Sequence, residues 1–257
     1  MRWTMALIFF DLDGTILLDG QIVDNTLDIF RQLRKKGHLV AIATGRNPNL
    51  LKGVDQSLEM NHLVLANGGY VMSDGHIIHE DYIDFKTVKK MMDYADRYPF
   101  DLTIEYVDEY VAYRQDTNQS VNFSKHFDLP IASYDHQVYP DRKVFAFVVF
   151  DDHIVEEIKD DFPELQFNKS GGIAYDVNPS GDLKAKGVEA LIEHLNYDKA
   201  DTYAFGDNFN DIKMLKTVGT GIAMGNAIPE LKEVADYVTD DIDKSGILKG
   251  LKHYSLL

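Results

Sequence analysis

The chain has 257 residues, 45% apolar and 26% charged, enough to bury one large core or two smaller ones. Its 42 acidic residues against 26 basic ones give a formal charge of −16, which argues against a nucleic-acid backbone or an anionic membrane as the main partner. With no cysteine, disulfides, thiolate catalysis and Cys-ligated metal centres are excluded.

The first elements alternate strand and helix. "ALIFF" (6–10) reads as a fully buried strand that stops at Asp11. This apolar run is too short for a signal peptide or a membrane span, so a soluble, cytoplasmic protein is expected. Asp24 is placed to cap a helix whose Leu27, Phe30 and Leu33 recur every three residues, with Gly37 ending it. "HLVAIAT" (38–44) is a second strand. "NPNLLKGVDQSL" opens like a helix, with Asn as cap and Pro in the first position. "HLVLANGG" (62–69) is a third strand. A β-α-β-α-β order implies a parallel sheet with right-handed crossovers.

From about residue 82 the texture changes. "DLTIEYV" and "YVAYRQ" alternate like a hairpin with one face buried, "KVFAFVVF" and "GIAYDV" are further strands, and helices are expected near 86–97, 117–127 and 153–161. A helix from about 184 to 196 and a strand "TYAF" (202–205) restore the α/β rhythm. The fold class expected is therefore α/β, a Rossmann-like parallel-sheet core (1–81 and 182–257) with an inserted α+β cap domain (82–181).

Three loops follow predicted parallel strands: "DLDGT" (11–15), "TGR" (44–46) and "GDNFND" (206–211). All three emerge on one edge of such a sheet, where ligands collect. Asp11, Asp13, Thr44, Asp207 and Asp211 then converge, and several acids, a hydroxyl and glycine amides in one crevice suit magnesium and phosphate. Helical geometry favours Lys184 over Lys186 as the cation, an ordinary surface lysine being the plainer reading of either. Lys184, Val188, Leu191 and Leu195 share one face, whereas Lys186 lines up with Glu193 and solvent.

"DLDGT", "TGR", a Lys at a helix start and "GDNFND" together resemble the four motifs of the haloacid dehalogenase-like phosphatase superfamily. The insertion between the second and third motifs, with "NGG" at 67–69, is similar to the Cof-type (subclass IIB) sugar-phosphatase branch; one departure is Ala185, where that branch often has Gly. The resemblance covers essentially the whole chain. It implies Mg2+ as cofactor and a small phosphate ester as substrate. It implies Asp11 as a nucleophile forming an aspartyl-phosphate and Asp13 as general acid and then base. Asp11, Asp13 (through its carbonyl), Asp207 and Asp211 are the implied metal set, Thr44 and Lys184 the implied catalytic partners. Gly45, Arg46, Asn67, Gly68 and Asn210 are the implied substrate-binding residues.

Taken singly, each motif has a plainer reading. "DLDG" is a common turn, and it fails the EF-hand pattern because Gly14 falls too early and no distal Glu completes the loop. "GTGIAMG" (219–225) mimics a dinucleotide fingerprint with its last Gly one place late, and "HIIHE" (76–80) lacks the helical spacing of a zinc site. Two competing functions share the motifs: a phosphosugar mutase, which returns the phosphoryl group to sugar, and a non-catalytic phosphometabolite sensor. Phosphate release from hexose phosphates without isomer formation separates hydrolysis from the first. Turnover of any kind separates it from the second.

Overall fold

The computed structural model describes residues 5–23, 25–98, 100–114, 118–126, 131–170 and 174–257. Contacts divide the chain into two units: Met1–Gly45, Leu51–Glu80 and Lys184–Leu257 form one, Arg46–Leu50 and Asp81–Leu183 the other.

The first unit is built on an eight-stranded sheet. Its order is Tyr237–Val238, Thr220–Ala223, Thr202–Gly206, Leu7–Phe10, Leu39–Ala43, His62–Leu65, Tyr70–Ser73 and His76–Glu80. The first six strands run parallel and the last two antiparallel. Leu7–Phe10 lies between its successor in sequence, Leu39–Ala43, and Thr202–Gly206 from nearly two hundred residues on. Its two neighbours thus come from opposite ends of the chain, a switch in strand order that opens a crevice at its carboxyl end. All four of its side chains are fully buried, and Phe10 packs on Phe30 and Phe205 at centroid distances of 4.8 and 4.9 Å.

The helix Thr26–Lys35 buries Ile29, Phe30 and Leu33 and is closed by Gly37 at φ +90°. Asp24, the expected cap, lies outside the described residues, and Asn25 occupies the cap position without a side-chain hydrogen bond. The helix expected from Asn47 is broken. Pro48–Leu50 form a single 3₁₀ turn, and Lys52 and Gly53 then take positive φ, so only Val54–Ser57 is helical. Among the described residues, no helix is long and apolar enough to cross a membrane.

The inserted unit carries a six-stranded, mainly antiparallel sheet in the order Ser133–Tyr134, Tyr110–Ala112, Leu102–Tyr106, Val144–Val149, Ala174–Pro179, Leu165–Ser170. Residues 172–173 of one expected strand, and the ends 117 and 127 of one expected helix, lie outside the described residues. One sheet face is apolar. Leu102, Ile104, Val111, Phe147, Val149 and Val177 cluster there with Val88, Met91, Met92 and Ala95 of helix Phe85–Arg97 and with Val155 and Ile158 of helix Asp152–Ile158.

The hairpin was expected to bury one face, but every residue of Leu102–Tyr106 and Tyr110–Ala112 is buried. On the other face, Leu50 and Phe123 of helix Asn118–His126 cover Tyr110, Val148 and Phe150. Segment 46–50 therefore packs with the insertion, although it follows a core strand in sequence. On this second face Glu105 is 8% exposed, and its carboxyl is pushed up to about 8 by burial and by repulsion from Asp176, against a hydrogen bond from Asn47.

The sign of the resulting pH effect follows. A carboxyl whose folded pKa lies above its unfolded value contributes stability below the unfolded pKa, here 4.5, and loses it as pH rises through about 8. Its nearest titratable neighbours are Asp176 and Tyr110, both neutral or anionic, so neither supplies compensating positive charge. Glu105→Gln should therefore gain stability over the wild type as pH goes from 5 to 8, by on the order of 3–5 kcal/mol, measured by urea unfolding at each pH.

Candidate active site

The crevice at the end of Leu7–Phe10 is formed by close backbone approaches. Asp11 N donates to Phe205 O at 3.0 Å, extending the parallel pairing one step past the strand. Leu12 O then accepts from the amides of Thr15, Ile16 and Leu17, which turns the chain back sharply. Gly14 has φ +86°, and a Cβ there would sit 2.2 Å from Asp207 Oδ2, so only glycine lets the third loop reach the first. Thr15 Oγ1 donates to Asp207 Oδ1 at 3.0 Å, and Asn226 Nδ2 donates to Gly14 O at 2.9 Å.

Lys184 enters this space from the first turn of helix Leu183–His194. It is 3% exposed, and its ammonium donates to Asp11 Oδ1 at 2.6 Å and Asp211 Oδ1 at 2.5 Å. Lys186 is exposed, as the facing argument required. Asp211, fully buried, accepts with its other oxygen from the amides of Asp207 and Asn208 at 2.9 and 3.0 Å. Gly206 permits this loop, because a Cβ there would lie 2.6 Å from Asp211 Cγ.

The electrostatics are those of one cation among three acids. Burial raises the Asp11 pKa well above the usual carboxylate range; Lys184 opposes this, while Asp211 and Asp207 add to it. Asp207 is pushed up to about 7 by burial and by Asp211, against the Thr15 hydrogen bond. Burial disfavours the Lys184 ammonium, but Asp11 and Asp211 outweigh it and its pKa is raised. One carboxylate oxygen from each of Asp11, Asp207 and Asp211 lies within 4.8 Å of the others. Hard oxygen donors in excess of the local positive charge fit a hard divalent cation such as Mg2+. Asp13 is exposed at the rim, its backbone bridged to Leu17.

A second group of predicted residues is linked through backbone and amide contacts. Thr44, 1% exposed, donates its amide to Val64 O and accepts from Asn67 N at 3.0 Å. Asn67 Oδ1 accepts from Asn210 Nδ2 at 3.0 Å, and Gly45 leaves space beside the Asn67 amide, which a Cβ would approach to 3.2 Å. Ala66, Asn67 and Gly68 all have positive φ (+50°, +51°, +94°), a sequence of left-handed residues that costs free energy and persists only where packing enforces it. The enforcing contact is Gly187 of helix Leu183–His194, where a Cβ would meet Gly68 Cα at 2.7 Å. Arg46 lies with the inserted unit, 8% exposed, with Nη1 donating to Leu50 O at 3.1 Å.

Three contributors were not singled out from the sequence. Thr15 orients Asp207, Asn226 ties the first loop to the segment before Ile242, and Gly187 admits the strained turn. Gly187 carried a legible signal, since a glycine in a helix interior is costly unless a neighbour approaches closely.

A family model described as haloacid dehalogenase-like hydrolase matches residues 8–251, and the chain belongs to that family, in its Cof-type branch. It is accordingly an enzyme of the phosphatase class. Among individual relatives, YkrA of Bacillus subtilis is 34% identical over 98% of each chain. The 5-amino-6-(5-phospho-D-ribitylamino)uracil phosphatase YcsE of the same organism is 29% identical over 98% of this chain and 96% of its own. The fold is similar to a crystal structure from Geobacillus kaustophilus (TM-score 0.93, 34% identity, 99% and 100% of the two chains covered). It is also similar to the HAD subclass IIB sugar phosphatase BT4131 (TM-score 0.85, 26% identity, 98% and 100% covered).

Proposed function

We propose that this protein is a magnesium-dependent phosphatase of small phosphorylated metabolites, sugar phosphates or phosphorylated cofactors, acting in the cytoplasm through an aspartyl-phosphate at Asp11. The observation that carries the reading is the buried Asp11–Lys184–Asp211 ion-pair chain with Asp207 beside it. The names of YcsE and BT4131 support a small phosphorylated substrate.

Asp11 attacks phosphorus through Oδ2, because Oδ1 is held by Lys184. The ester P–O bond breaks as the Asp11–phosphorus bond forms, and Asp13 gives its proton to the departing oxygen. Water then attacks the same phosphorus, Asp13 takes its proton, and inorganic phosphate leaves with the Asp11 carboxylate restored. Lys184, the Thr44 hydroxyl and the Gly45 amide hold the transferring oxygens. Asp11, the Asp13 carbonyl and Asp207 would hold Mg2+, which supplies positive charge against the approach of a carboxylate to a phosphate dianion. Asp211, with both oxygens engaged by Lys184 and two amides, organises this metal loop. Asn67, Gly68 and Asn210 border the phosphoryl site, and Arg46 is proposed to bind substrate.

The test is phosphate release from p-nitrophenyl phosphate and a panel of phosphorylated metabolites. Turnover should require Mg2+, disappear with EDTA and return on adding Mg2+ in excess. Isomer formation from hexose phosphates without phosphate release would replace hydrolysis by a mutase. Tight binding without turnover would replace it by a sensor.

A further inference from the structure

The glycines of "GTGIAMG" (219–225), which mimic a dinucleotide fingerprint, serve close packing instead. A Cβ on Gly219 would meet Lys199 O at 2.3 Å, and one on Gly225 would meet Asp241 N at 2.4 Å. Strand Thr220–Ala223 runs parallel to Thr202–Gly206, which itself runs parallel to Leu7–Phe10. The chain after it, 224–228, therefore emerges on the sheet edge that carries Asp11 and Asp207. It is a fourth loop at that edge, in the same unit as Asp11, Asp207 and Lys184.

This loop grips both acid-bearing loops. Met224 N donates to Gly206 O at 2.9 Å and Ile228 N to Asp207 O at 3.0 Å, which fixes the loop bearing Asp207. The grip on the first loop comes from a side chain. Asn226 Nδ2 donates to Gly14 O at 2.9 Å, while its Oδ1 accepts from Ile242 N at 2.9 Å. One end of the carboxamide is thus anchored on backbone, and the other is aimed at Gly14. Gly14, at φ +86°, is the residue of that loop with the most conformational freedom to restrain. Its amide donates to Leu17 O at 2.9 Å, and in a planar trans peptide the Asp13 carbonyl points the opposite way. Hydrogen bonds on both sides of Gly14 therefore fix the direction of the Asp13 carbonyl.

We propose that Asn226 is a positioning residue for the phosphoryl reaction: by holding the Gly14 carbonyl it sets the Asp13 carbonyl for the metal ion. This deepens the magnesium-phosphatase reading and rests on it. Both hydrogen bonds of Asn226 run to backbone atoms, so it acts through the first loop and not on the substrate. The residue type is specific, because a carboxamide offers a donor and an acceptor at fixed separation. Aspartate would still accept from Ile242 N but would set a carboxylate oxygen against Gly14 O. Alanine would serve neither. A brace for the segment at Ile242 alone would need only the acceptor, so the two variants separate that plainer role from the proposed one. Asn226 is exposed, and its replacement removes no core packing.

The experiment combines Mg2+ titration calorimetry, kinetics with p-nitrophenyl phosphate and amide hydrogen exchange. Asn226→Ala should bind Mg2+ about tenfold more weakly, the loss typical of removing a group that orients a metal ligand. The Mg2+ concentration for half-maximal activity should rise by a similar factor. At saturating Mg2+, KM should stay within about twofold of wild type, since Lys184, Thr44 and Gly45 are untouched. In EDTA, amide exchange across residues 13–17 should quicken about tenfold in both Asn226→Ala and Asn226→Asp. Unchanged Mg2+ affinity in Asn226→Ala would overturn the proposal. So would wild-type exchange in Asn226→Asp, which would mean that the Ile242 bond alone matters, or a loss confined to the urea midpoint, which marks a structural brace. Failure of the phosphatase reading has a different signature, the absence of Mg2+-dependent p-nitrophenyl phosphate hydrolysis by the wild type.

Discussion

Asp11→Asn should fold normally and lose at least about 10⁴-fold in kcat with p-nitrophenyl phosphate, a loss of the size seen when a nucleophile is removed. The substitution is nearly isosteric and deletes one of three acids crowded around Lys184, so the packing of the first loop is undisturbed. Far-UV circular dichroism and the urea midpoint check the fold, and phosphate release checks the chemistry. Substrate or inorganic phosphate should still bind, because Lys184, Thr44 and the loop amides remain. Retention of most Mg2+-dependent activity would mean that Asp11 is not the nucleophile.

Lys184→Met should destabilise the protein by about 3–5 kcal/mol and abolish turnover. Methionine matches the volume of the lysine stem, so the loss isolates the charge. Without the ammonium, Asp11 and Asp211, 5% and 0% exposed, are left as buried carboxylates with no cation between them. Breaking a buried pair from one side costs this much because the remaining charge is desolvated and unpaired. A divalent cation bound at Asp11 and Asp207, beside Asp211, replaces part of the missing charge. Mg2+ should therefore raise the unfolding midpoint of Lys184→Met more than that of the wild type, read from parallel melts with Mg2+ or EDTA. Equal Mg2+ shifts in the two proteins would remove Asp11 and Asp211 from the metal's surroundings.

Segment 47–58 shows where local reading fails. Asn-Pro at the start is an ordinary helix signal, yet Asn47 spends its side chain on Glu105, and the chain makes a 3₁₀ turn before Lys52 and Gly53 reverse it. A tertiary hydrogen bond to a buried acid outweighs a cap worth about 1 kcal/mol. The hairpin 102–112 fails for a related reason. Its alternation is real, but a second layer from distant sequence covers the polar face, so the periodicity that marks an exposed face instead marks a buried polar cluster.

Much of the first unit was determined by the sequence alone. Buried parallel strands are continuous apolar runs, and each ends where charged or glycine-rich residues begin, so the strands and the loops bearing Asp11, Thr44 and Asp207 are local signals. The choice of Lys184 over Lys186 was likewise a matter of helical phase. Only the tertiary structure decided which contacts those loops make: Gly14 yielding space to Asp207, Gly187 pressing on the turn at Gly68, and Asn47 joining Glu105. These depend on distances between segments remote in sequence, and burial, which raises the Glu105 carboxyl to about 8, is a property of the packed molecule and not of any stretch of residues.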